Sequence, residues 1–356
     1  MALTRVLVVE DSATVRERLI RALADDRDID IVGVAKDGSQ GVELCRLHRP
    51  DAITMDMMMP VMSGLAATEY IMAHCPTPIL IVSSSLNRGE LFKIYDALSA
   101  GAVDVLEKPT GEELDGEWQR RLRSAVKLVA KIKVISHIRA RLQARPRVCE
   151  ILTPAPASQH AYRRRIVAIG ASTGGPGAVS EVLRSLPRHF RIPVLVVVHM
   201  NATFASALTD WLNAQSELHV VPAQNGALVA SLQGCVAVAP GDRHLIVRSG
   251  RIVLTDDAER QSCRPSVDVL FESVAAEYGA DAVGCLLTGM GKDGALGLLR
   301  IRQAGGLTIA QDEASSVVYG MPREALALGA VACVSSLKDI GPRLAALPAG
   351  FAEVTQ

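Results

Sequence analysis

Short apolar runs alternate with segments of helical spacing along the first third of the chain. The runs rich in strand-forming residues lie at 5–9, 31–35, 52–55, 78–83 and 103–106. Such alternation predicts a doubly wound parallel sheet with helices on both faces. Ligands of these sheets bind at the carboxyl ends of the strands, so those ends are the places to look for chemistry.

The alternation resumes after residue 165. Further strands are predicted at 166–169, 194–198, 235–239, 282–287, 307–310 and 331–334. Two more runs, at 244–247 and 252–254, are joined through Ser249-Gly250 and predict a β-hairpin added to the sheet. The pattern predicts a second doubly wound α/β domain and shows no recognition helix of the kind that reads DNA.

Residues 118–165 separate the two alternating regions. Apolar residues recur at steps of three and four from Leu122 to Leu142, which predicts an amphipathic helix over 118–143 with a cationic opposite face. Residues 144–164 contain three prolines without apolar periodicity and predict a flexible hinge. We therefore expect a first domain at 1–125, a basic linker at 126–163 and a second domain at 164–350.

The charge of the chain is zero overall but uneven. Residues 118–165 carry 13 basic side chains and one acidic one, whereas the preceding region has 11 and 20 and the following region 14 and 17. The basic helix face is either a solvated surface or an electrostatic contact with an acidic block or partner. Zero net charge and 3% aromatic residues disfavour a nucleic-acid binder.

The seven cysteines are scattered and include no C-x-x-C pair. This arrangement is typical of reduced thiols in a cytosolic protein and predicts neither a disulfide framework nor a zinc site. The first residues lack the layout of a signal peptide, and no apolar run approaches the roughly 20 residues needed to cross a bilayer. We expect a cytoplasmic protein that does not insert directly into a membrane.

Several polar residues follow the predicted strands of the first region. They are Glu10 and Asp11 after the first strand, Asp56 after the third, Ser83 at the fourth and Lys108 near the fifth. Carboxylates that converge at one rim would repel each other unless a cation lies among them, and an all-oxygen set suits Mg²⁺. Asp56 would then be the nucleophile that accepts a phosphoryl group, with Lys108 and Ser83 supporting its oxygens.

This region resembles a two-component receiver domain over about residues 4–125. The resemblance rests on these positions and on Met-Met-Pro-x-Met-Ser-Gly downstream of Asp56. It implies a flavodoxin-like fold and a phosphoaspartate at Asp56, formed with Mg²⁺ from a histidine kinase of the CheA type. Receivers often have an aromatic switch residue three positions before the lysine; this chain has Val105, so an aromatic-rotamer switch is not expected.

Three polar residues follow strands of the second region. Ser172 lies in a Gly-rich turn between a strand and a helix, His199 follows a buried strand, and Asp293 follows a strand inside a second Gly-rich loop. If the strand ends meet at one rim, His199 would remove the Ser172 proton and Asp293 would orient the imidazole. Loop N–H groups, notably that of Met290, would form an oxyanion hole worth roughly 3–4 kcal/mol per donor.

Each of these residues also has an ordinary structural explanation. Ser172 would serve as a helix cap, His199 as a hydrogen-bonded strand-end residue and Asp293 as a turn residue. The Gly-rich turn is an alternative nucleotide site, although Gly-x-x-x-Gly-Gly departs from the dinucleotide pattern G-x-G-x-x-G. A receiver-controlled docking module without catalysis is the main alternative function, and a DNA-output regulator is weaker because the only strongly basic stretch is the linker.

The second region also resembles the chemotaxis protein-glutamate methylesterase (CheB) family. The strings that carry the resemblance are Gly170-Ala-Ser-Thr-Gly-Gly, His199-Met, Ala239-Pro-Gly-Asp-Arg-His-Leu, Arg264-Pro-Ser-Val-Asp-Val-Leu-Phe, Thr288-Gly-Met-Gly-Lys-Asp-Gly and Gln311-Asp-Glu-Ala-Ser-Ser-Val-Val-Tyr-Gly-Met-Pro-Arg-Glu-Ala. Receiver, linker and esterase domain follow one another in the order of that family. Within these strings, Arg264-Pro-Ser-Val-Asp either shapes the wall of the site or holds Arg264 and Asp268 as a structural ion pair, and we favour the ion pair.

The resemblance implies a function for both domains. Ser172, His199 and Asp293 would form the triad, the Met290 amide would stabilise the oxyanion, and the esterase domain would need no cofactor. The substrates would be methyl-glutamyl side chains, and in some members glutamine side chains, of methyl-accepting chemoreceptors. Phosphorylation of Asp56 would shift the receiver and open the esterase site to a receptor helix.

Overall fold

The computed structural model describes residues 3–84, 88–108, 116–132, 164–200 and 202–348. The chain divides into two compact units, Met1–Pro146 and Arg147–Gln356, and each contains its own parallel sheet. The linker helix predicted over 118–143 begins at Glu117 but ends at Val129, and residues 130–132 are not helical. Residues 133–163, which include nearly all of the predicted hinge, lie outside the described residues.

The first unit is an α/β fold in which five strands alternate with five helices. The strands are β1 Thr4–Val9, β2 Ile29–Ala35, β3 Ala52–Met55, β4 Ile79–Ser83 and β5 Asp104–Glu107, and the helices are α1 Ala13–Ala24, α2 Gly38–His48, α3 Gly64–His74, α4 Arg88–Ala100 and α5 Glu117–Val129. The strand order is β2-β1-β3-β4-β5 and all neighbours are parallel. The predicted doubly wound receiver fold is confirmed, each strand lying within two residues of its predicted bounds.

Local sequence explains how this unit presents its strand ends. The Ser12 and Ser63 hydroxyls accept hydrogen bonds from the first turns of α1 and α3, which satisfies N–H groups that a helix leaves free at its start. At Gly64, a Cβ atom would lie 2.0 Å from the Asp56 carbonyl oxygen. Only glycine therefore lets α3 begin against the end of β3, and this contact fixes the backbone at Asp56.

The second unit contains nine strands, six α-helices and two short 3-10 helices among its described residues. The strands are β6 Ile166–Ala171, β7 Val194–Val198, β8 His219–Pro222, β9 Cys235–Val238, β10 His244–Arg248, β11 Arg251–Thr255, β12 Ala282–Leu286, β13 Leu307–Gln311 and β14 Cys333–Ser335. The helices are α6 Gly175–Arg184, α7 Ala202–Gln215, α8 Val267–Tyr278, α9 Ala295–Gln303, α10 Met321–Ala327 and α11 Leu337–Ala345. Seven strands form one parallel sheet in the order β14-β13-β12-β6-β7-β9-β8.

The strand order of this sheet reverses at β6. The chain proceeds from β6 to β7 and outward on one side, and later from β12 to β13 and β14 on the other. A crevice opens where successive connections leave in opposite directions, and doubly wound sheets bind ligands there. The topology alone therefore predicts a binding site at the carboxyl ends of β6, β7 and β12.

Two features of the second unit differ from the sequence expectations. The predicted hairpin forms, but β10 and β11 pair with each other in a separate two-stranded sheet and do not extend the large one. Strand β8 was not predicted, because its four residues run from His219 to Pro222 with only two apolar positions between them. Its weak pattern suits an edge strand, which has a partner on one side only.

Close packing of α8 on the sheet fixes the second rim. The core between them includes Leu270, Phe271 and Leu286, all fully buried. At Gly170 a Cβ atom would lie 2.1 Å from Val267 Cγ1, so α8 approaches β6 more closely than a side chain would permit. No helix among the described residues is long and apolar enough to span a membrane.

Candidate active sites

The first group of polar residues surrounds Asp56 at the end of β3. Asp56 is 3% exposed, and Lys108 Nζ lies 2.9 Å from its Oδ1 and 2.9 Å from Glu10 Oε2. The Met57 N–H also donates to Asp56 Oδ1 over 2.8 Å. Because Oδ1 takes both contacts, Oδ2 is the oxygen left for a new bond.

The electrostatics of this group favour an added cation. Burial, followed by repulsion from Asp56, raises the pKa of Glu10 to about 7, and burial likewise raises the pKa of Asp56. Burial opposes the charge on Lys108, but the two carboxylates outweigh it and raise the pKa of that ammonium group. A single ammonium group, that of Lys108, is therefore shared by two buried carboxylates.

The donor set fits Mg²⁺. Ligand oxygens of Glu10, Asp11 and Asp56 lie within 4.8 Å of one another. Carboxylate oxygens and the exposed position of Asp11 suit a small hard cation that keeps several waters. Ser83 ends β4 and is buried, and its carbonyl oxygen accepts the Lys108 N–H, so the backbone there holds the lysine at the rim.

The second group lies at the switch point of the large sheet. Ser172 follows β6, His199 follows β7 and Asp293 follows β12. Backbone hydrogen bonds link their segments: the Ser172 N–H donates to Thr288 O over 3.0 Å, and the His199 N–H donates to Ala171 O over 3.1 Å. The three predicted residues therefore share one rim.

His199 and Asp293 form a direct pair, with Nε2 2.7 Å from Oδ2. Asp293 is buried and accepts three more hydrogen bonds, from the Ser266 hydroxyl at 2.7 Å and from the N–H groups of Val267 at 2.7 Å and Asp268 at 3.1 Å. Although burial opposes its charge, these donors hold the pKa of Asp293 below its usual range. An ionised Asp293 therefore fixes the imidazole with Nε2 as the protonated nitrogen.

The environment of His199 favours its charged form. Burial lowers the pKa of this imidazole, but Asp293 and the Cys263 thiol outweigh burial and raise the pKa to about 9. Among the described residues, the second ring nitrogen, Nδ1, makes no hydrogen bond to Ser172; its neighbour is Cys263 Sγ at 3.6 Å. Catalytic hydrogen bonds are often long or poorly aligned before substrate binds, so this geometry does not exclude Ser172 as the partner of Nδ1.

The loop after β12 packs directly on Ser172. A Cβ atom at Gly289 would lie 2.8 Å from Ser172 Cβ, so the loop backbone is in contact with the serine. The next residue, Met290, is 49% exposed, and its N–H makes no hydrogen bond to any described residue. A free N–H group beside a serine is the feature that an oxyanion hole requires.

Sequence reasoning missed three contributors and was wrong about one contact. Ser266 and Cys263 touch the pair His199–Asp293, and Gln311 Oε1 accepts the Thr288 N–H over 2.7 Å at the loop beside Ser172. The expected ion pair between Arg264 and Asp268 does not form. Arg264 donates to the carbonyls of residues 256 and 257, while the Asp268 carboxylate accepts from the side chain of residue 261 and the N–H of residue 297.

Two family models and several known proteins match this chain. The model of the CheB methylesterase family matches residues 167–344, and that of the response regulator receiver domain matches residues 6–115. A protein-glutamate methylesterase/protein-glutamine glutaminase of Nitrosospira multiformis is 44% identical over 97% of both chains, and one of Anaeromyxobacter dehalogenans is 43% identical over 94% of both. The solved CheB catalytic domain of Thermotoga maritima is 35% identical over 51% of this chain and 97% of that one, with a TM-score of 0.49.

Proposed function

The chain belongs to the CheB family of receiver-linked methylesterases, and we propose that it hydrolyses glutamate methyl esters of chemoreceptors with the triad Ser172, His199 and Asp293. The observation that carries the proposal is the His199–Asp293 pair at 2.7 Å, held one strand away from Ser172 at the switch point. A buried carboxylate with four donors, one of them an imidazole at the rim beside Ser172, is the arrangement that a serine triad requires.

The chemistry follows from the two ring nitrogens. Ser172 Oγ attacks the glutamyl carbonyl, and His199 takes the hydroxyl proton on Nδ1 while Nε2–H stays bonded to Asp293. The carbonyl oxygen becomes an oxyanion that accepts the Met290 N–H. His199 then gives its proton to the departing methanol, and a water molecule, deprotonated by the same nitrogen, releases the acyl group as a free carboxylate.

Deamidation of glutamine uses the same carbonyl. The leaving group is then ammonia, a poorer leaving group than methanol unless it is protonated as the bond breaks. The raised pKa of His199 favours the protonated imidazole, which is the form that can donate this proton. The glutaminase reaction therefore needs no residue beyond those of the esterase.

The receiver regulates this activity through Asp56. A histidine kinase of the CheA type is the phosphodonor, Asp56 Oδ2 forms the bond to phosphorus, and Lys108 stays paired with the phosphoaspartate. Mg²⁺ held by Glu10, Asp11 and Asp56 would neutralise the phosphoryl oxygens when bound. Phosphorylation converts the free carboxylate that Lys108 contacts at 2.9 Å into an acyl phosphate. We expect this change at the lysine's partner to alter the conformation of the receiver surface.

The test measures methanol release from methylated receptors, with mass analysis of the modified positions. Ser172→Ala is expected to abolish release and to leave phosphorylation intact, whereas Ser206→Ala, at an exposed position of α7, should behave as the parent. Asp56→Asn is expected to remove the stimulation by a phosphodonor, with the exposed Asp30→Asn as its control. Release by Ser172→Ala would refute the triad, and stimulation of Asp56→Asn would refute the switch.

A further inference from the structure

A tight turn presents Cys263 to the imidazole of His199. Arg260 and Cys263 exchange two backbone hydrogen bonds of 3.1 and 3.0 Å across the turn. Its two central residues, Gln261 and Ser262, have φ values of 52° and 60°, a left-handed conformation that residues other than glycine adopt only at a cost.

Two side-chain contacts hold this costly turn in place. Arg260 forms a bidentate pair with Glu272 of α8 at 2.8 and 2.7 Å. The Gln261 amide donates to Asp268 Oδ2 over 2.7 Å. Because both anchors lie on α8, which also supplies donors to Asp293, the thiol is fixed relative to the triad and is not carried by a loose loop.

The distance between the two side chains matches that of two zinc ligands. Zinc–sulfur bonds of about 2.3 Å and zinc–nitrogen bonds of about 2.0–2.1 Å, at a tetrahedral angle, place the two ligand atoms about 3.6 Å apart. Cys263 Sγ lies 3.6 Å from His199 Nδ1. Thiolate and imidazole together favour zinc and related soft cations over Mg²⁺.

Asp293 completes the arrangement from the opposite side of the ring. His199, Cys263 and Asp293 are within ligand distance of one another, all pairs lying under 4.8 Å. Both Asp293 oxygens are already used by four hydrogen bonds, so this carboxylate orients the imidazole through Nε2 and does not itself ligate. A carboxylate on the far nitrogen is the usual support of a zinc-binding histidine.

We propose that Cys263 Sγ and His199 Nδ1 bind a soft divalent cation, represented by Zn²⁺, which switches off the esterase reversibly. Binding forms one metal–sulfur and one metal–nitrogen bond, releases the thiol proton and any proton on Nδ1 to solvent, and leaves the other positions to water. The metal occupies the nitrogen that would accept the Ser172 proton. The inhibition rests on the proposed function, whereas the binding does not.

Cobalt absorption tests the binding directly. The full-length protein is freed of metal with a chelator, supplied with excess Mg²⁺ for the receiver carboxylates, and titrated with Co²⁺. We expect a near-ultraviolet thiolate-to-cobalt band that saturates at one equivalent and disappears when Zn²⁺ is added. Cys263→Ser should lack the band, and Cys235→Ser, at a half-buried thiol that starts β9, should retain it. A band that survives Cys263→Ser, or no band in the parent, overturns the proposal.

Zinc affinity and inhibition provide the second measurement. Competition with a fluorescent zinc indicator should show at least tenfold weaker binding for Cys263→Ser and for His199→Ala than for the parent. The rate of methanol release is normalised to the rate that each protein shows in chelator. In the parent, this rate should fall at least tenfold with Zn²⁺ and recover when chelator is added. If Zn²⁺ inhibits methanol release by the parent and by Cys263→Ser equally, the proposal is contradicted. If the parent binds zinc but never releases methanol, only the proposed function is contradicted.

Discussion

Replacing Asp293 by asparagine is the sharpest perturbation of the proposed triad, because all four contacts of this side chain are donors. The substitution keeps the shape of the side chain but turns one acceptor oxygen into a donor NH₂ group. Whichever way the amide is oriented, that NH₂ group faces a backbone N–H. At one position it opposes Val267, and at the other it opposes Asp268.

The expected loss of stability follows from the number of hydrogen bonds that the amide cannot make. One buried N–H group is left unpaired in either orientation, at a cost of about 1–3 kcal/mol, and the remaining hydrogen bonds lose the strengthening that comes from a charged acceptor. We expect the free energy of unfolding to fall by about 2–4 kcal/mol. In the orientation that faces Val267, the NH₂ group also meets His199 Nε2, which must then give up its proton to Nδ1.

That change of tautomer removes the base from the side of Ser172. An equivalent trapped tautomer costs about 10⁴ in kcat in a serine protease, and each factor of ten corresponds to about 1.4 kcal/mol of transition-state stabilisation. We therefore expect kcat for methanol release to fall by about 10³–10⁴ in Asp293→Asn, with the exposed Asp257→Asn unchanged. Urea unfolding gives the stability, and a variant that is as stable as the parent and within tenfold of its rate would refute the reasoning.

Three further outcomes are expected. Because His199 must be neutral to act as a base and its pKa is raised to about 9, kcat/KM in chelator should rise with pH up to about 9 and then level; a plateau already reached at pH 7 would contradict this. Lys108→Met breaks a buried ion pair and should lower the free energy of unfolding at pH 8, measured by urea titration, by about 3 kcal/mol. This value is at the low end for such a loss because Glu10, whose pKa is raised to about 7, can take up a proton. Mg²⁺ should restore part of the lost stability. Gly170→Ala should be strongly destabilising, because its Cβ would lie 2.1 Å from Val267. Adding Val267→Ala should recover part of the lost stability. A double variant less stable than Gly170→Ala would exclude the clash as the cause.

The sequence was most informative where chemistry and strand pattern coincide. Parallel strands that are buried on both faces read as continuous apolar runs, so β3 and β7 were predicted with the bounds that the structure has. Polar residues directly after such runs stand out, and Asp56 and His199 were found in this way. Residue type then suggested their roles, and the family resemblance added the identity of the substrate.

The sequence was least informative where a contact joins distant segments through ordinary residue types. Ser266 is one serine among many, yet its hydroxyl lies 2.7 Å from Asp293 Oδ1. Arg264 and Asp268 carry opposite charges four residues apart, a spacing that suggested an ion pair. In the structure each side chain instead has other partners, backbone carbonyls for Arg264 and the N–H of residue 297 for Asp268.

By itself the sequence determined the two α/β folds, the acidic and basic groups at their strand ends and the residues suited to act as nucleophile, base and orienting acid. These properties follow from periodicity and residue type, which are local. Only the tertiary structure decided which strand ends meet, because the reversal at β6 brings together segments more than 90 residues apart. It also decided that Cys263, which the scattered cysteines gave no reason to single out, lies against the His199 imidazole, since that contact depends on where α8 holds its preceding turn.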